Sequence, residues 1–204
     1  MSRIIKLPTI ATLLLILTIN GFAQRYRLGF FINAAGYFPT QENINSGYGS
    51  GMGAVFYISP NVSVSFEWKY GRYKVDKVEG EFLKGTLYVT PLLASLHYNF
   101  QTGTSFSPYV FLGGGLFFSN MGLDERETPE DKNIRKQDMK NGLGVYGGIG
   151  STLKITERLS LFIEGLYMRR RVNVETLYVD NSPADTFRAN LSAFSILIGL
   201  DYFY

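Results

Sequence analysis

Phe194-Ser195-Ile196-Leu197-Ile198-Gly199-Leu200-Asp201-Tyr202-Phe203-Tyr204 closes the 204-residue chain with unbroken two-residue alternation. Phe194, Ile196, Ile198, Leu200, Tyr202 and Tyr204 make one apolar row, and Ser195, Leu197, Gly199, Asp201 and Phe203 make the other. Alternate side chains of an extended strand project to opposite faces, so the segment reads as a strand with one wholly apolar face. The second row, with Asp201 as its one charge, is a poor surface for water. It suits a narrow interior, where small residues leave room for large neighbours.

The same pattern recurs upstream. Leu159, Leu161, Ile163, Gly165 and Tyr167 alternate with Ser160, Phe162, Glu164, Leu166 and Met168. Val62, Val64, Phe66, Trp68 and Tyr70 alternate with Ser63, Ser65, Glu67, Lys69 and Gly71, and Tyr26, Leu28, Phe30 and Ile32 with Arg27, Gly29, Phe31 and Asn33. Strands are expected near 25–38, 46–58, 61–75, 81–100, 107–121, 140–155, 158–173 and 187–204, eight in all. Both faces are apolar at Leu92-Leu93 and Phe111-Leu112, which blurs the register of the fourth and fifth.

The connections alternate in length. Ser59-Pro60-Asn61, Gln101 to Ser107 and Thr156-Glu157-Arg158 are short, whereas Pro39 to Asn45, Asp76 to Gly80, Gly122 to Met139 and Glu175 to Thr186 are polar and include the two longest. In an antiparallel meander this gathers the short turns at one end and the long loops at the other, as in barrels with periplasmic turns and extracellular loops. The fold class expected is all-β, an eight-stranded antiparallel up-and-down transmembrane β-barrel.

Ahead of the first strand, Arg3 and Lys6 precede an apolar run from Ile10 to Ile19, and Gly21-Phe22-Ala23 supplies small residues for a signal peptidase. Residues 1–23 are expected to be a removed signal peptide and 24–204 the barrel domain; the apolar run falls short of the ~20 residues a helical anchor needs. Without Arg3 and Lys6, 18 basic residues face 17 acidic ones, a net charge of +1 that gives a nucleic-acid partner no electrostatic support. The absence of cysteine excludes disulfides, thiolate metal sites and a lipidated N-terminal cysteine. Charged residues are only 18%, below the roughly 25% usual for soluble domains, so part of the surface should face something other than water.

A soluble ligand-carrying barrel would turn its apolar row inward and a charged row outward. The sparse second row favours the opposite arrangement, with the apolar row in lipid and the backbone satisfied within the closed wall. Tyr26, Tyr98, Phe100, Tyr109, Tyr202 and Tyr204 toward the periplasmic side, and Phe38, Trp68, Tyr70, Tyr88 and Tyr167 toward the other, are candidates for two interfacial girdles.

These features resemble the small bacterial outer-membrane β-barrel family, the eight-stranded barrels typified by the transmembrane domain of outer-membrane protein A and by outer-membrane protein X. The resemblance covers nearly all of 24–204 and is most specific at the last strand. There it implies that Leu200, Tyr202 and Tyr204 form the signal read by the barrel-assembly machinery, although the family prefers Phe where this chain has Tyr204. It implies the outer membrane as location, a non-enzymatic structural, surface-exposed or adhesion role, outer-membrane lipids and lipopolysaccharide as partners, and an extracellular ligand at the loops.

Gly142-Leu143-Gly144-Val145-Tyr146-Gly147 fits the dinucleotide fingerprint G-x-G-x-x-G, but that motif must open a helix, and here alternation continues to Ile155. Gly47, Gly49, Gly51 and Gly53 read as a smooth strip on one face. His97, the one histidine, lies near the periplasmic end beside Ser95; a lipid A-modifying enzyme would need it near the outer leaflet. Glu67, Lys69, Lys154, Glu164 and Asp201 fall on the inward rows and are expected to pair with one another. No catalytic residue, metal or cofactor is assigned. Arg169, Arg170, Arg171 and Arg188 are expected where the seventh and eighth strands emerge outside, as contacts for lipopolysaccharide phosphates. The competing functions are a lipid A-modifying enzyme and a narrow pore or transporter for small apolar molecules.

Overall fold

The computed structural model describes residues 28–77, 83–124, 134–178 and 183–204; the expected leader, with its expected cleavage before Gln24, lies outside them. Among the described residues there are ten strands: β1 (Leu28–Pro39), β2 (Gly47–Tyr57), β3 (Val62–Val75), β4 (Gly85–Asn99), β5 (Phe106–Leu123), β6 (Ile134–Met139), β7 (Gly142–Lys154), β8 (Leu159–Tyr178), β9 (Pro183–Asn190) and β10 (Ala193–Phe203). Eight of them close the wall in the order β10-β1-β2-β3-β4-β5-β7-β8, with β8 pairing back to β10 and every pairing antiparallel.

Register can be followed once round the wall. From Ser160 the rungs run Asp201, Phe31, Gly53, Glu67, Leu93, Gly115, Gly144 and back to β8 at Arg170, ten residues farther along. That stagger is the shear that tilts the strands and closes the sheet without an edge. Tight turns join the strands at one end, with Ile58 N–H donating to the Val62 carbonyl and Ile155 N–H to the Leu159 carbonyl. Gly103, with φ of 72°, makes the turn between β4 and β5.

The two rows of the last strand separate as their chemistry dictates. Ser195, Leu197, Gly199 and Phe203 are buried inside, while Phe194, Ile196, Ile198, Leu200 and Tyr202 face out. Around the wall the outward face carries Phe30, Ile32, Phe66, Leu92, Leu96, Leu112, Leu116, Val145, Ile149 and Ile163, all exposed. Inside, large rings meet glycines on neighbouring strands. A methyl group at Gly53 would sit 2.5 Å from the Phe31 ring, at Gly144 2.6 Å from Phe117, and at Gly150 2.5 Å from Tyr109. The glycine strip of β2 is thus an interior surface shaped to receive aromatics, and Gly142 to Gly147 lies wholly in β7.

The loops differ from expectation in two places. The segment Gly122 to Met139, expected as a polar connection, contains β6, paired with β8 from Met139↔Val174 to Ile134↔Tyr178. Glu175 to Thr186, also expected as a loop, contributes the end of β8 and much of β9. The cause is apolar alternation beyond the membrane: Val172, Val174, Ala189, Leu191 and Met139 are buried and carry the core upward. Lys140 N–H still bonds the Asn173 carbonyl, but between β6 and β7 the rungs slip by one residue, from Met139↔Val174 to Gly144↔Arg170.

Candidate functional site: a basic rim above a filled lumen

The outward rows of two strands change character in the same way. Along β3 they read Val64, Phe66, Trp68, Tyr70, Arg72, Lys74, and along β8 Leu161, Ile163, Gly165, Tyr167, Arg169, Arg171. Aromatics give way to cations at the loop end, as at the upper interface of a membrane. Arg169, Arg171 and Arg188 are all exposed. Arg171 pairs with Asn190 and Arg188 with Asn173, so the two arginines sit diagonally on adjacent strands, within about 7–8 Å. The neighbouring carboxylate, Glu175, is engaged by Lys140 at 3.0 Å.

Arg170 does not join them. It points inward and is only 2% exposed, because three successive strand residues cannot share a face. The sequence carried this signal: counting by two from the outward Tyr167 sends 169 and 171 out and 170 in.

The periplasmic half of the lumen is polar. Glu67 holds Lys69 at 2.9 Å and accepts a 2.6 Å hydrogen bond from Asn33 Nδ2, while Glu164 accepts one of 2.8 Å from the Tyr109 hydroxyl. Lys69 is 2% exposed, so its pairing with Glu67 is what makes burial of that charge tolerable. Asp201 and Glu164 line the same cavity as His97. Of the five charges expected inside, Lys154 is corrected: it is exposed at the periplasmic mouth, because β7 ends there. Tyr109 is corrected too, from girdle to interior, since it is buried and bonded to Glu164. Tyr26 lies outside the described residues.

His97 faces this cavity. Its Nε2 lies 2.8 Å from Ser95 Oγ and 3.1 Å from Ser65 Oγ, those two hydroxyls are 2.7 Å apart, and its ring stacks on Phe111 at 5.2 Å. Sequence reasoning noticed Ser95 and missed Ser65, which only the register Ser65↔Ser95 brings alongside. Above the polar layer, Tyr37, Tyr73, Leu87, Val89, Phe117, Met121 and Val174 fill the lumen.

One irregularity interrupts the wall. The β3–β4 rungs pass from Trp68↔Leu92 to Gly71↔Val89 and skip the positions around Pro91, which has no N–H to donate. Leu200, Tyr202 and Tyr204 form the outward row at the periplasmic end of β10 and its terminus, all exposed.

No protein-family model and no curated protein sequence matches the chain. Solved structures do. The outer membrane protein OprG from Pseudomonas aeruginosa superposes with a TM-score of 0.67 at 15% identity, covering 89% of this chain and 98% of that one. AlkL, an outer membrane protein determined in DMPC lipid bilayers, gives 0.58 at 13% identity over 88% and 90%. Neisserial surface protein A (NspA) gives 0.55 at 15% identity over 87% and 96%. At such identities the likeness speaks for the fold. Taken with the closed register and the apolar outer belt, it gives this chain the fold of the small eight-stranded outer-membrane β-barrels.

Proposed function

We propose that the protein is a non-enzymatic barrel that stabilises the outer leaflet by binding lipopolysaccharide phosphates at Arg169, Arg171 and Arg188 and presents its loops outside the cell. The observation that carries this reading is the outward cluster of three arginines directly above the aromatic band. Like charges at such spacing destabilise a sheet unless an anion sits among them, and guanidinium groups match phosphate oxygens in pairs. Arg72 and Lys74, exposed on β3 at the same end, extend the rim to another part of the wall. Leu200, Tyr202 and Tyr204 are assigned to recognition by the assembly machinery, because they continue the outward apolar row of β10 to the short-turn end of the barrel. An inward His97 in the periplasmic half speaks against chemistry on outer-leaflet lipid. The test is R169Q/R171Q/R188Q, with Arg170 kept: lipopolysaccharide co-purifying with the folded barrel should fall sharply, and an unchanged amount refutes the proposal.

The break at Pro91 favours a second reading, lateral passage of small apolar molecules through the wall. P91A restores a donor to the ladder; under this reading it slows uptake of a small hydrocarbon into vesicles, and under the leading one it changes nothing.

A further inference from the structure

Arg170 is among the largest fully buried side chains, yet its charge is poorly answered. Its backbone is fixed on both sides: Ser192 Oγ accepts from Arg170 N–H at 3.2 Å, and the Arg170 carbonyl accepts from Leu191 N–H at 3.0 Å. The guanidinium reaches past β7 to β5, where Nη2 lies 3.5 Å from the Phe117 carbonyl and Cζ 5.0 Å from the Phe117 ring. That bond is at the outer limit of length, and Nε and Nη1 have no hydrogen-bond partner among the described residues. No carboxylate among the described residues pairs with it. Removing a cation from water without a counter-charge is strongly unfavourable, and one ring face offsets only part of that cost.

A cavity is lined by Arg170 together with Ile44, Tyr73, Leu87, Val89, Met168 and Leu191. It holds about 20 Å3, room for one small group, since a water needs only about 10–15 Å3. Apart from Arg170 and the phenol of Tyr73 the named lining side chains offer no polar group, so the site provides donors and a positive charge.

We infer that Arg170 and this cavity form an internal binding site for a single monovalent anionic group, chloride or the carboxylate of a small organic acid, in the loop-side half of the barrel. Two unused donors on one guanidinium match one such group, and the small volume favours a compact anion over a tetrahedral dianion. The site is separate from the outward rim, whose arginines point away from the lumen.

The probe is chloride itself, followed by NMR line broadening on the full-length folded barrel in detergent, with folding verified by its heat-dependent gel shift. Wild type and R158Q, altered on an exposed periplasmic turn, should broaden the chloride line. R170M and R170Q should lose that broadening. Formate at matched ionic strength should displace chloride if carboxylates share the site; displacement by neither formate nor sulfate identifies a halide site. Should R170M fail to fold, R170Q carries the comparison. Absence of broadening in wild type, or its persistence in either folded Arg170 variant, overturns the inference.

Discussion

Replacing Ile198 with Arg places a charge on the row assigned to hydrocarbon, and the structure gives the expected cost. Ile198 is 52% exposed in the middle of the outward row of β10, flanked by Ile196 and Leu200. An arginine at the bilayer midplane of a barrel costs about 2–4 kcal/mol, falling to about 0–1 kcal/mol near the interface. Tyr202 lies on the same row and is 47% exposed, so its solvent geometry matches that of Ile198. Four residues at about 3.4 Å each, on a strand tilted by about 40°, set it roughly 10 Å nearer the periplasmic interface. I198R should therefore lose about 2–4 kcal/mol of unfolding free energy and Y202R no more than about 1 kcal/mol. Reversible denaturant unfolding in lipid vesicles measures both, with equal denaturant slopes confirming comparable end states. Equal losses, or a larger one for Y202R, would refute the depth assignment. A loss-free I198R would refute lipid contact altogether.

The interior makes its own demands. K69M strands the Glu67 carboxylate in the lumen and should cost about 3–5 kcal/mol in the same assay, with E67Q/K69M recovering part of it; a loss below about 1 kcal/mol would show that the pair is not buried as described. G144A forces a methyl against the Phe117 ring and should cost about 1–3 kcal/mol, whereas in F117L the same change should cost less; strict additivity would mean that the two do not touch. The folded barrel should run differently on gels before and after boiling, and R169Q/R171Q/R188Q should keep that shift while losing lipopolysaccharide.

Much of this architecture is legible in period-two alternation. The rows at 62–71, 159–168 and 194–204 assign faces correctly residue by residue, because a one-residue slip would reverse every side chain and put Glu67, Glu164 and Asp201 in lipid. What alternation cannot supply is pairing across strands. Ser65 meets Ser95 and His97, and Tyr109 meets Glu164, only through a register that neighbouring positions do not encode. The extension built by β6, β8 and β9 escaped notice because charges at Lys136, Asp138, Glu175 and Arg188 mask the inward Met139, Val174 and Ala189. The slip between Met139 and Gly144 breaks the count there as well. Arg170 is a different case: the alternation that turns it inward is present in the sequence, although composition alone groups it with Arg169, Arg171 and Arg188.

Trp68, the one tryptophan of the chain, stands 43% exposed on the outward row of β3 between Phe66 and Tyr70, and it reports on the central claim without any mutation. In vesicles, lipids brominated on their acyl chains should quench its fluorescence strongly while aqueous iodide does little. Strong quenching by iodide with none from brominated chains would place this face in water and contradict the account.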